Sequence, residues 1–388
     1  MKQPAALLFE NGTNWQYATA THVSDPALWY RSPSGATHVV VNALEHGHIA
    51  ATNAKTKRIH RVHTHAEAVK ALAPARPTLA AMVHWLAGLE KPVPDTIMVP
   101  ADFPALLLEK LRAEGLPLQV QETEPFFAER ALKTPDEIKK LKAAQATNQL
   151  AFRHAFAILK AAKIRRDNTL LWHNQPLTAE ILQGEMNALL VKHGCTEFGG
   201  GPIVACGAQG AVPHERGHGP LKAHQFIVID CFPRHQNGYW GDLTRTVLKG
   251  TPSPWHRKVY NAVLAAQKLA LSQIKPGANG HAIHNAVVAY LEDQGFPTGP
   301  DFGMFHGTGH GVGLELHDPG PRTLSGSPSI LQPGMVTSVE PGLYYRRKGL
   351  STMAGGGIGG CRIEDIVAVT ESGMQNLTTL PKTGWIIP

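Results

Sequence analysis

Acidic side chains in the second half of the 388-residue chain lie in or beside strongly apolar segments. Asp230 follows FIVI, Asp242 lies inside the predicted strand YWGDLTRTVL, Glu340 ends MVTSVE, and Glu364 lies within GCRIEDIVAV. One such carboxylate alone is explained by a strand end that reaches water or by a salt bridge. Four are different, because an unpaired buried charge is very costly and the nearby basic residues are too few to neutralise them. Bound cations are the simplest explanation.

The segment FHGTGHGVGLELHDPG, residues 305–320, contains His306, His310 and His317. The first two are four residues apart, the spacing that places two ligands on one face of a helix. The alternating glycines from 307 to 313 argue against a helix, because each costs about 1 kcal/mol relative to alanine. The pattern therefore predicts an extended or looping backbone that passes very close to another group.

Strand pairing would bring the acidic residues together. The Asn237-Gly238 turn predicts that Asp230 and Asp242 lie on neighbouring strands. Arg362 and Glu364 are two residues apart on one predicted strand and would face the same side. With one imidazole, the set is rich in oxygen and suits two octahedral ions such as Mn²⁺ or Co²⁺ better than a structural zinc site. Two such ions roughly 3.5–4 Å apart can share a hydroxide and polarise a carbonyl group.

Four motifs, HGTGHGVGLELHD, SVEPGLY, GDLTRT and RIED, resemble the signatures of the pita-bread metallopeptidases, which include aminopeptidase P, prolidase and methionine aminopeptidase. The motifs occur in the expected order over roughly residues 200–370, and the two-domain layout resembles the proline-specific branch. The resemblance implies an exopeptidase of the aminopeptidase P or prolidase type that hydrolyses the Xaa-Pro bond at the N-terminus of peptides. It also implies two divalent metal ions, with Mn²⁺ expected and Co²⁺ or Zn²⁺ as alternatives.

The resemblance implies a role for each matching residue. The metal ligands would be Asp230, Asp242, His310, Glu340 and Glu364. Among them, Asp242 and Glu364 would bridge the two metals, and Glu340 would also transfer a proton. The glycines around His310 would let the backbone approach the metal site.

The same resemblance implies four residues that face the substrate. His317 would contact the scissile carbonyl or the tetrahedral intermediate, and His214, in VPHERGHG, would lie beside the substrate and assist catalysis. His306 would support the substrate side of the site, although a buried histidine bonded to a backbone carbonyl would give the same sequence pattern. Arg362 would help bind the proline side of the substrate.

The sequence departs from the family pattern in two places. Asp230 and Asp242 are twelve residues apart where eleven is familiar, and the extra residue is most simply placed in the RHQNG turn, where length is tolerated. Cys231 stands where small residues are usual, and it is either an inert packing residue or a site of oxidation.

Other functions on the same scaffold stay open. A metal-dependent lyase or C–N hydrolase would use a similar ligand set, whereas the creatinase-like relatives lose their ligands and this chain keeps all five. A non-catalytic binding protein would have no need of His214, His317 and Arg362. Methionine aminopeptidase activity fits less well, because Arg362 and the N-terminal domain belong to the proline-specific pattern.

Hydrophobic periodicity predicts an α+β protein of two domains, 1–127 and 128–388. The family resemblance implies that the second is a pita-bread catalytic domain. That domain reads as two helices followed by strands, twice over, with the strands in one shared, largely antiparallel sheet. A capping box from Thr134 to Glu137 marks its first helix. Predicted helices cover 134–163, 178–193, 255–274 and 280–294, and predicted strands cover 201–206, 226–231, 239–248, 335–340 and 361–369.

Residues 1–127 read as a small α/β domain with strands at 37–43 and 96–100 and helices at 76–91 and 102–114, the last beginning at Asp102. His60, His63 and His65 fall in the polar run HRVHTH, and we expect them to be exposed.

The composition of the chain limits the classes of binding partner that we expect. The chain is 43% hydrophobic and 17% charged, and its net charge of +7 is scattered, which does not favour nucleic-acid binding. No apolar run approaches the roughly 18 residues of a membrane span, and the N-terminal segment lacks the apolar core of a signal peptide. The four cysteines show no CxxC pairing, which predicts a cytoplasmic protein. The expected partners are a proline-containing peptide substrate and, from the family resemblance, other copies of the chain in a homodimer or homotetramer.

Overall fold

The computed structural model describes residues 4–123, 125–321, 329–347 and 356–388. The chain divides into two compact units, Met1–Arg130 and Ala131–Pro388, at a short 3-10 helix, Ala128–Ala131. The finer domain boundary at 127/128 stays a prediction.

The first unit contains a mixed six-stranded sheet whose strands run in the order β4-β3-β2-β1-β5-β6. Its strands are β1 Ala5–Glu10, β2 Ala27–Arg31, β3 Thr37–Val41, β4 Arg61–Thr64, β5 Ile97–Val99 and β6 Leu118–Val120. Its helices are α1 Thr13–Thr19, α2 Ala43–Thr56, α3 His65–Leu72, α4 Leu79–Leu89 and α5 Ala105–Ala113. Alternate residues of β1 enter different apolar clusters, Leu7 one and Leu8 the other, because successive side chains of a strand point to opposite faces.

Two local predictions in this unit are wrong. Helix α5 begins at Ala105 after Pro104, not at Asp102, and no side chain caps it. His63 is 1% exposed, although His60 and His65 are exposed as expected. Nε2 of His63 lies 3.1 Å from Nδ1 of His38. Burial lowers the pKa of His63 to about 4, so its ring is buried in the neutral form.

The second unit repeats a pattern of two helices followed by strands, as predicted. Its helices are α6 Pro135–Ala161, α7 Ala179–Lys192, α8 Pro254–Gln273 and α9 Gly280–Asp293, with a 3-10 helix at Gly207–Ala211. Its strands are β7 Lys163–Ile164, β8 Leu170–Trp172, β9 Gln175–Pro176, β10 Cys195–Glu197, β11 Ile203–Cys206, β12 Phe226–Cys231, β13 Arg234–His235, β14 Leu243–Lys249, β15 Val336–Val339, β16 Gly342–Tyr345, β17 Gly359–Arg362, β18 Asp365–Val369, β19 Met374–Asn376 and β20 Ile386–Ile387. The predicted capping box of α6 is present, with Thr134 and Glu137 bonded reciprocally.

Within the described residues, the strands of the two repeats do not form one continuous backbone ladder. One sheet runs β11-β12-β14-β20, a second runs β15-β18-β19, and β16 pairs with β17. Threonine side chains of β14 connect the halves: the Thr246 hydroxyl accepts from Arg362 N at 3.0 Å and donates to Arg362 O at 2.9 Å. The expected shared sheet is therefore two half-sheets joined partly through side chains.

The β15–β16 and β17–β18 segments run antiparallel and are interrupted at the same level. Val339 is paired with Asp365, and Gly342 with Arg362, so both chains leave the ladder between these pairs. Glu340 and Glu364 lie in the two interruptions. The predicted single strand over 361–369 is therefore two short strands.

Asp242 precedes β14 and does not lie inside it, contrary to the prediction. The segment between β12 and β14 is an excursion and not a tight hairpin, because Arg234 and His235 pair with β10 before the chain turns at Gly238. Trp240 N then donates to Gly313 O at 2.9 Å.

None of the helices in the described part of the chain combines the length and the apolar character that a bilayer crossing requires.

Candidate active site

Three of the predicted metal ligands converge. Asp242, His310 and Glu364 each offer one ligand atom, and these atoms all lie within 4.8 Å of one another. Asp242 directly precedes β14, Glu364 lies in the interruption between β17 and β18, and His310 lies in the glycine-rich segment. Asp242 and Glu364 are 4% and 2% exposed, so water does not screen their charges.

The hydrogen bonds of His310 leave one ring nitrogen for a cation. Its Nδ1 is 3.0 Å from Gly311 O and donates to it, which assigns the lone pair to Nε2. That Nε2 lies 3.5 Å from Asp242 Oδ2 and 3.4 Å from Glu340 Oε1. A lone pair that faces carboxylate oxygens is not attracted to them, whereas a cation among the three groups attracts all of them. Metal-binding histidines typically donate their other N–H to a backbone carbonyl in this way.

The carboxylates of the cluster oppose each other's ionisation. Burial, and then the charges of Asp230 and Glu340, raise the pKa of Asp242 well above its ordinary value. Burial, followed by the charge of Asp242, does the same to the pKa of Glu364. Without a cation, both side chains therefore favour the protonated carboxyl form, whereas a bound cation would favour the ionised carboxylate.

Asp230 joins the cluster at one end of a polar chain. Arg362 Nη2 donates to Asp230 Oδ2 at 2.6 Å, while the other oxygen, Oδ1, is buried and has no hydrogen-bond partner among the described residues. Arg362 Nε donates to the Thr244 hydroxyl at 3.0 Å, and that hydroxyl donates to Glu364 Oε2 at 2.9 Å. The unpaired Asp230 oxygen and the chemistry of the donor set both fit a divalent metal.

Arg362 is also the first member of a directional series of hydrogen bonds. Its Nη1 donates to Tyr344 OH at 2.8 Å, and that hydroxyl lies 2.9 Å from His306 Nε2. His306 Nδ1 lies 2.7 Å from Gly307 O. Burial lowers the pKa of His306, in keeping with a neutral ring that accepts at Nε2 and donates at Nδ1. His306 is half-buried, and the bond to a backbone carbonyl that the alternative interpretation expected is observed together with a link to the site.

His317 and His214 line the exposed side of the cluster. The His317 ring centroid is 4.1 Å from that of His310. Burial lowers the pKa of both His306 and His317, and His214, in the loop between the 3-10 helix Gly207–Ala211 and β12, is near enough to both rings to contribute in the same direction. The structure thus brings the nine predicted residues to one region of the second unit; their individual roles stay predictions.

A cavity of about 380 Å³ adjoins this region. Helix α9 contributes His284 and Glu292 to its lining, and Thr298, Phe305 and His306 line it from the segment that follows. The cavity leaves room beside the His306 end of the hydrogen-bond series.

Comparison with known proteins decides the family. Residues 139–371 match the model of metallopeptidase family M24, which is more than half of the chain. The chain belongs to metallopeptidase family M24.

Individual relatives also carry peptidase names. An uncharacterized peptidase of Bacillus subtilis, YqhT, is 33% identical over 254 residues, covering 65% of this chain and 64% of the relative. A Xaa-Pro dipeptidase of Pyrococcus furiosus is 34% identical over 177 residues, covering 45% and 46%. The aligned part of the chain thus spans less than two thirds of the length of each relative.

A solved X-Pro aminopeptidase of Thermotoga maritima superposes with a TM-score of 0.77 at 23% identity, covering 99% of this chain and 97% of that one. This likeness confirms the predicted pita-bread fold of an M24 protein with a smaller N-terminal domain.

Gly309 and Gly311 of the histidine segment approach backbone atoms, whereas the resemblance implied an approach to the metal site. A Cβ atom on Gly309 would lie 1.9 Å from Ser338 O, and one on Gly311 would lie 2.2 Å from Asp318 O. In addition, Ser338 N donates a hydrogen bond to His310 O at 2.8 Å. The glycines therefore pack the segment against β15, and that packing fixes where the imidazole of His310 lies.

Cys231 is 2% exposed and lies in an apolar cluster with Leu243 and Cys195, on the face of β12 opposite Asp230. Burial raises the pKa of the Cys231 thiol well above its ordinary value, which disfavours the reactive thiolate. Both observations favour the packing interpretation over oxidation.

Sequence reasoning missed several residues that contact the predicted ligands. Thr244 and Tyr344 link Arg362 to Glu364 and to His306, and Gln145 of α6 bonds the backbone of Asp242. For Gln145 a signal existed, because amides at 145, 148 and 149 have helical spacing on the buried face of an amphipathic helix. Thr244 and Tyr344 have no comparable signal, because threonine and tyrosine are ordinary strand residues.

Proposed function

We propose that this chain is a metal-dependent exopeptidase that hydrolyses the Xaa-Pro bond at the N-terminus of peptides. The observation that carries the proposal is the convergence of Asp242, His310 and Glu364, with the His310 lone pair facing carboxylate oxygens. The proline preference is supported by the Pyrococcus furiosus relative, named as a Xaa-Pro dipeptidase, and by the position of Arg362 in the motif RIED.

The metal site would hold two divalent ions, with Mn²⁺ first in expectation and Co²⁺ or Zn²⁺ as alternatives. The ligands would be Asp230, Asp242, His310, Glu340 and Glu364. When bound, the ions supply Lewis acidity, which makes water a nucleophile near neutral pH and polarises the peptide carbonyl.

Glu340 is the proposed proton carrier. Its Oε1 accepts from the Ser338 hydroxyl at 3.1 Å and lies 3.4 Å from His310 Nε2, so the carboxylate is fixed at the edge of the cluster. It accepts the proton of the attacking water and delivers it to the leaving nitrogen of proline.

His317 and His214 act on the substrate from the exposed side. A ring N–H of His317 donates to the oxygen that gains charge when the carbonyl is attacked, and His214 holds the same part of the substrate. His306 and Arg362 contact the proline side of the substrate. Their hydrogen bonds to the Tyr344 hydroxyl fix the positions of both side chains.

We also propose that the protein works in the cytoplasm as a homodimer or homotetramer. The four cysteines are free thiols, which agrees with a reducing compartment. The oligomeric state rests on the family resemblance and is checked by sedimentation.

The test is release of free amino acid from Ala-Pro and from Ala-Pro-Ala, with Mn²⁺ added and after chelation. Metal-dependent cleavage is expected, and the ratio of the two rates distinguishes a dipeptidase from an aminopeptidase. If folded protein that demonstrably holds metal cleaves neither peptide, the proposal is wrong. A lyase or C–N hydrolase on the same scaffold would then be the better hypothesis.

A further inference from the structure

Helix α6 carries a buried row of amide side chains. Gln145, Asn148 and Gln149 are 0%, 0% and 3% exposed, and they lie on one face of the helix at spacings of three and four residues. Buried amides are costly unless they are hydrogen-bonded, so the partners of this row show what it does.

Gln145 bonds both backbone groups of Asp242. Asp242 N donates to Gln145 Oε1 at 3.0 Å, and Gln145 Nε2 donates to Asp242 O at 2.8 Å. Asp242 precedes β14 and so lies outside its ladder with β12, whose last pair is Cys231 with Leu243. The side-chain amide of Gln145 therefore forms the two backbone hydrogen bonds that a paired strand would form at Asp242.

Helix α6 also packs closely against Gly241, the residue before Asp242. A Cβ atom on Gly241 would lie 3.1 Å from Ala144 O, so the glycine permits the helix and the segment to pack at this distance. Asn148, one turn further along α6, donates to Cys231 O at 2.5 Å, beside Asp230. One helix face thus bonds the backbone next to both aspartates.

We propose that Gln145 is a positioning residue of the metal centre. It fixes the backbone of Asp242 at the point where strand pairing no longer does, and so holds the carboxylate towards His310 and Glu364. The inference rests on the proposed metal site. Loss of a partner that orients a ligand typically lowers metal affinity by about 10–100-fold, and we expect a loss in that range for Gln145→Met.

The same helix offers a matched control. Gln149 is also buried, and its Oε1 accepts from both N and Oγ1 of Thr379, at 2.9 and 3.0 Å; within the described part of the chain its side chain bonds none of the proposed ligands. Gln145→Met and Gln149→Met remove the same amide from the same helix while keeping side-chain volume. Both variants should lose stability, but only the first should lose metal affinity.

The experiment measures Mn²⁺ affinity by titration calorimetry on the full chain and on both variants, with thermal unfolding after chelation as the measure of stability. The proposal is supported if Gln145→Met binds Mn²⁺ at least about tenfold more weakly than Gln149→Met at similar stability. Equal affinities in the two variants overturn it. Hydrolysis of Ala-Pro should recover in Gln145→Met as Mn²⁺ is raised, because the ligands themselves are intact.

If Gln145→Met does not fold, Gln145→Glu gives the same readout, because it keeps the acceptor for Asp242 N and removes the donor to Asp242 O. Unchanged affinity in that variant also counts against the proposal. A wild-type chain that binds no divalent metal contradicts the proposed function itself, whereas metal binding that is unaffected by Gln145 contradicts only this inference.

Discussion

Two groups of buried charges lie on opposite sides of the same strands and are built differently. Thr244 and Glu364 face the proposed metal site, whereas the next residues, Arg245 and Asp365, face away from it. Asp365 accepts from Arg245 Nη2 at 2.8 Å, from Lys382 Nζ at 2.5 Å and from Asn376 Nδ2 at 2.8 Å. This second group, Arg245, Asp365, Asn376 and Lys382, contains its own cations.

The metal-site group has four carboxylates, those of Asp230, Asp242, Glu340 and Glu364, around one neutral imidazole. Among the described residues, only Asp230 forms a salt bridge to an arginine or lysine, Arg362. The difference shows that this fold neutralises a buried carboxylate internally where the role is structural. Where the protein supplies carboxylates without enough cations, the deficit itself indicates a site for an ion from solution.

The largest expected effect is on the metal-site group. Glu340→Ala should abolish turnover of Ala-Pro while leaving the fold intact, because it removes the proton carrier and one metal ligand. Steady-state kinetics at saturating Mn²⁺, with circular dichroism as the control for folding, measures this. Full activity in the variant would contradict the mechanism.

Asp365→Asn tests the structural group. It leaves the buried Arg245 without its carboxylate, and it should lower the free energy of unfolding by about 3–5 kcal/mol. Urea denaturation measures the change. A variant as stable as the wild type would show that the two groups do not differ in the way described.

His317→Ala tests the rim of the metal-site group. We expect kcat to fall by roughly 10²-fold, the size typical of a lost oxyanion donor, with a smaller effect on stability because His317 is exposed. Stopped assays on Ala-Pro-Ala give kcat and KM separately. If kcat is unchanged, His317 has no part in stabilising the transition state.

Glu364→Gln gives the smallest effect but the sharpest contrast with Asp365→Asn. After chelation the variant should be more stable than the wild type by about 1–2 kcal/mol, because one of the mutually repelling carboxylates becomes neutral. Added Mn²⁺ should raise the melting temperature of the wild type and not that of the variant. Destabilisation of the metal-free variant would show that Glu364 is already compensated within the protein.

Local patterns predicted the elements well where the cause is local. The Thr134–Glu137 capping box starts α6, and the apolar run at 226–231 forms β12, because caps and periodicity depend on neighbouring residues. Asp102 failed as a cap because Pro104 stands at the N-cap position, two residues later.

The sequence was less informative where a distant partner decides the outcome. His63 is buried because His38, on the adjacent strand, faces it, and polar neighbours in the sequence do not reveal that pairing. Glu364 lies in a strand interruption because Glu364 N donates to Thr244 O at 3.1 Å, a bond to a segment 120 residues away. The candidate ligands could be predicted from residue types and motifs, whereas their supports, such as Gln145, required the three-dimensional arrangement.

The paired interruptions at Glu340 and Glu364 have a consequence for hydrogen exchange. Glu340 N donates to Thr308 O at 2.7 Å, in the histidine segment, and Glu364 N donates to Thr244 O in β14. Their amide protons therefore exchange when those two elements open, not when the ladder between β15 and β18 opens. Deuterium uptake at these two amides would report separately on the two sides of the active site.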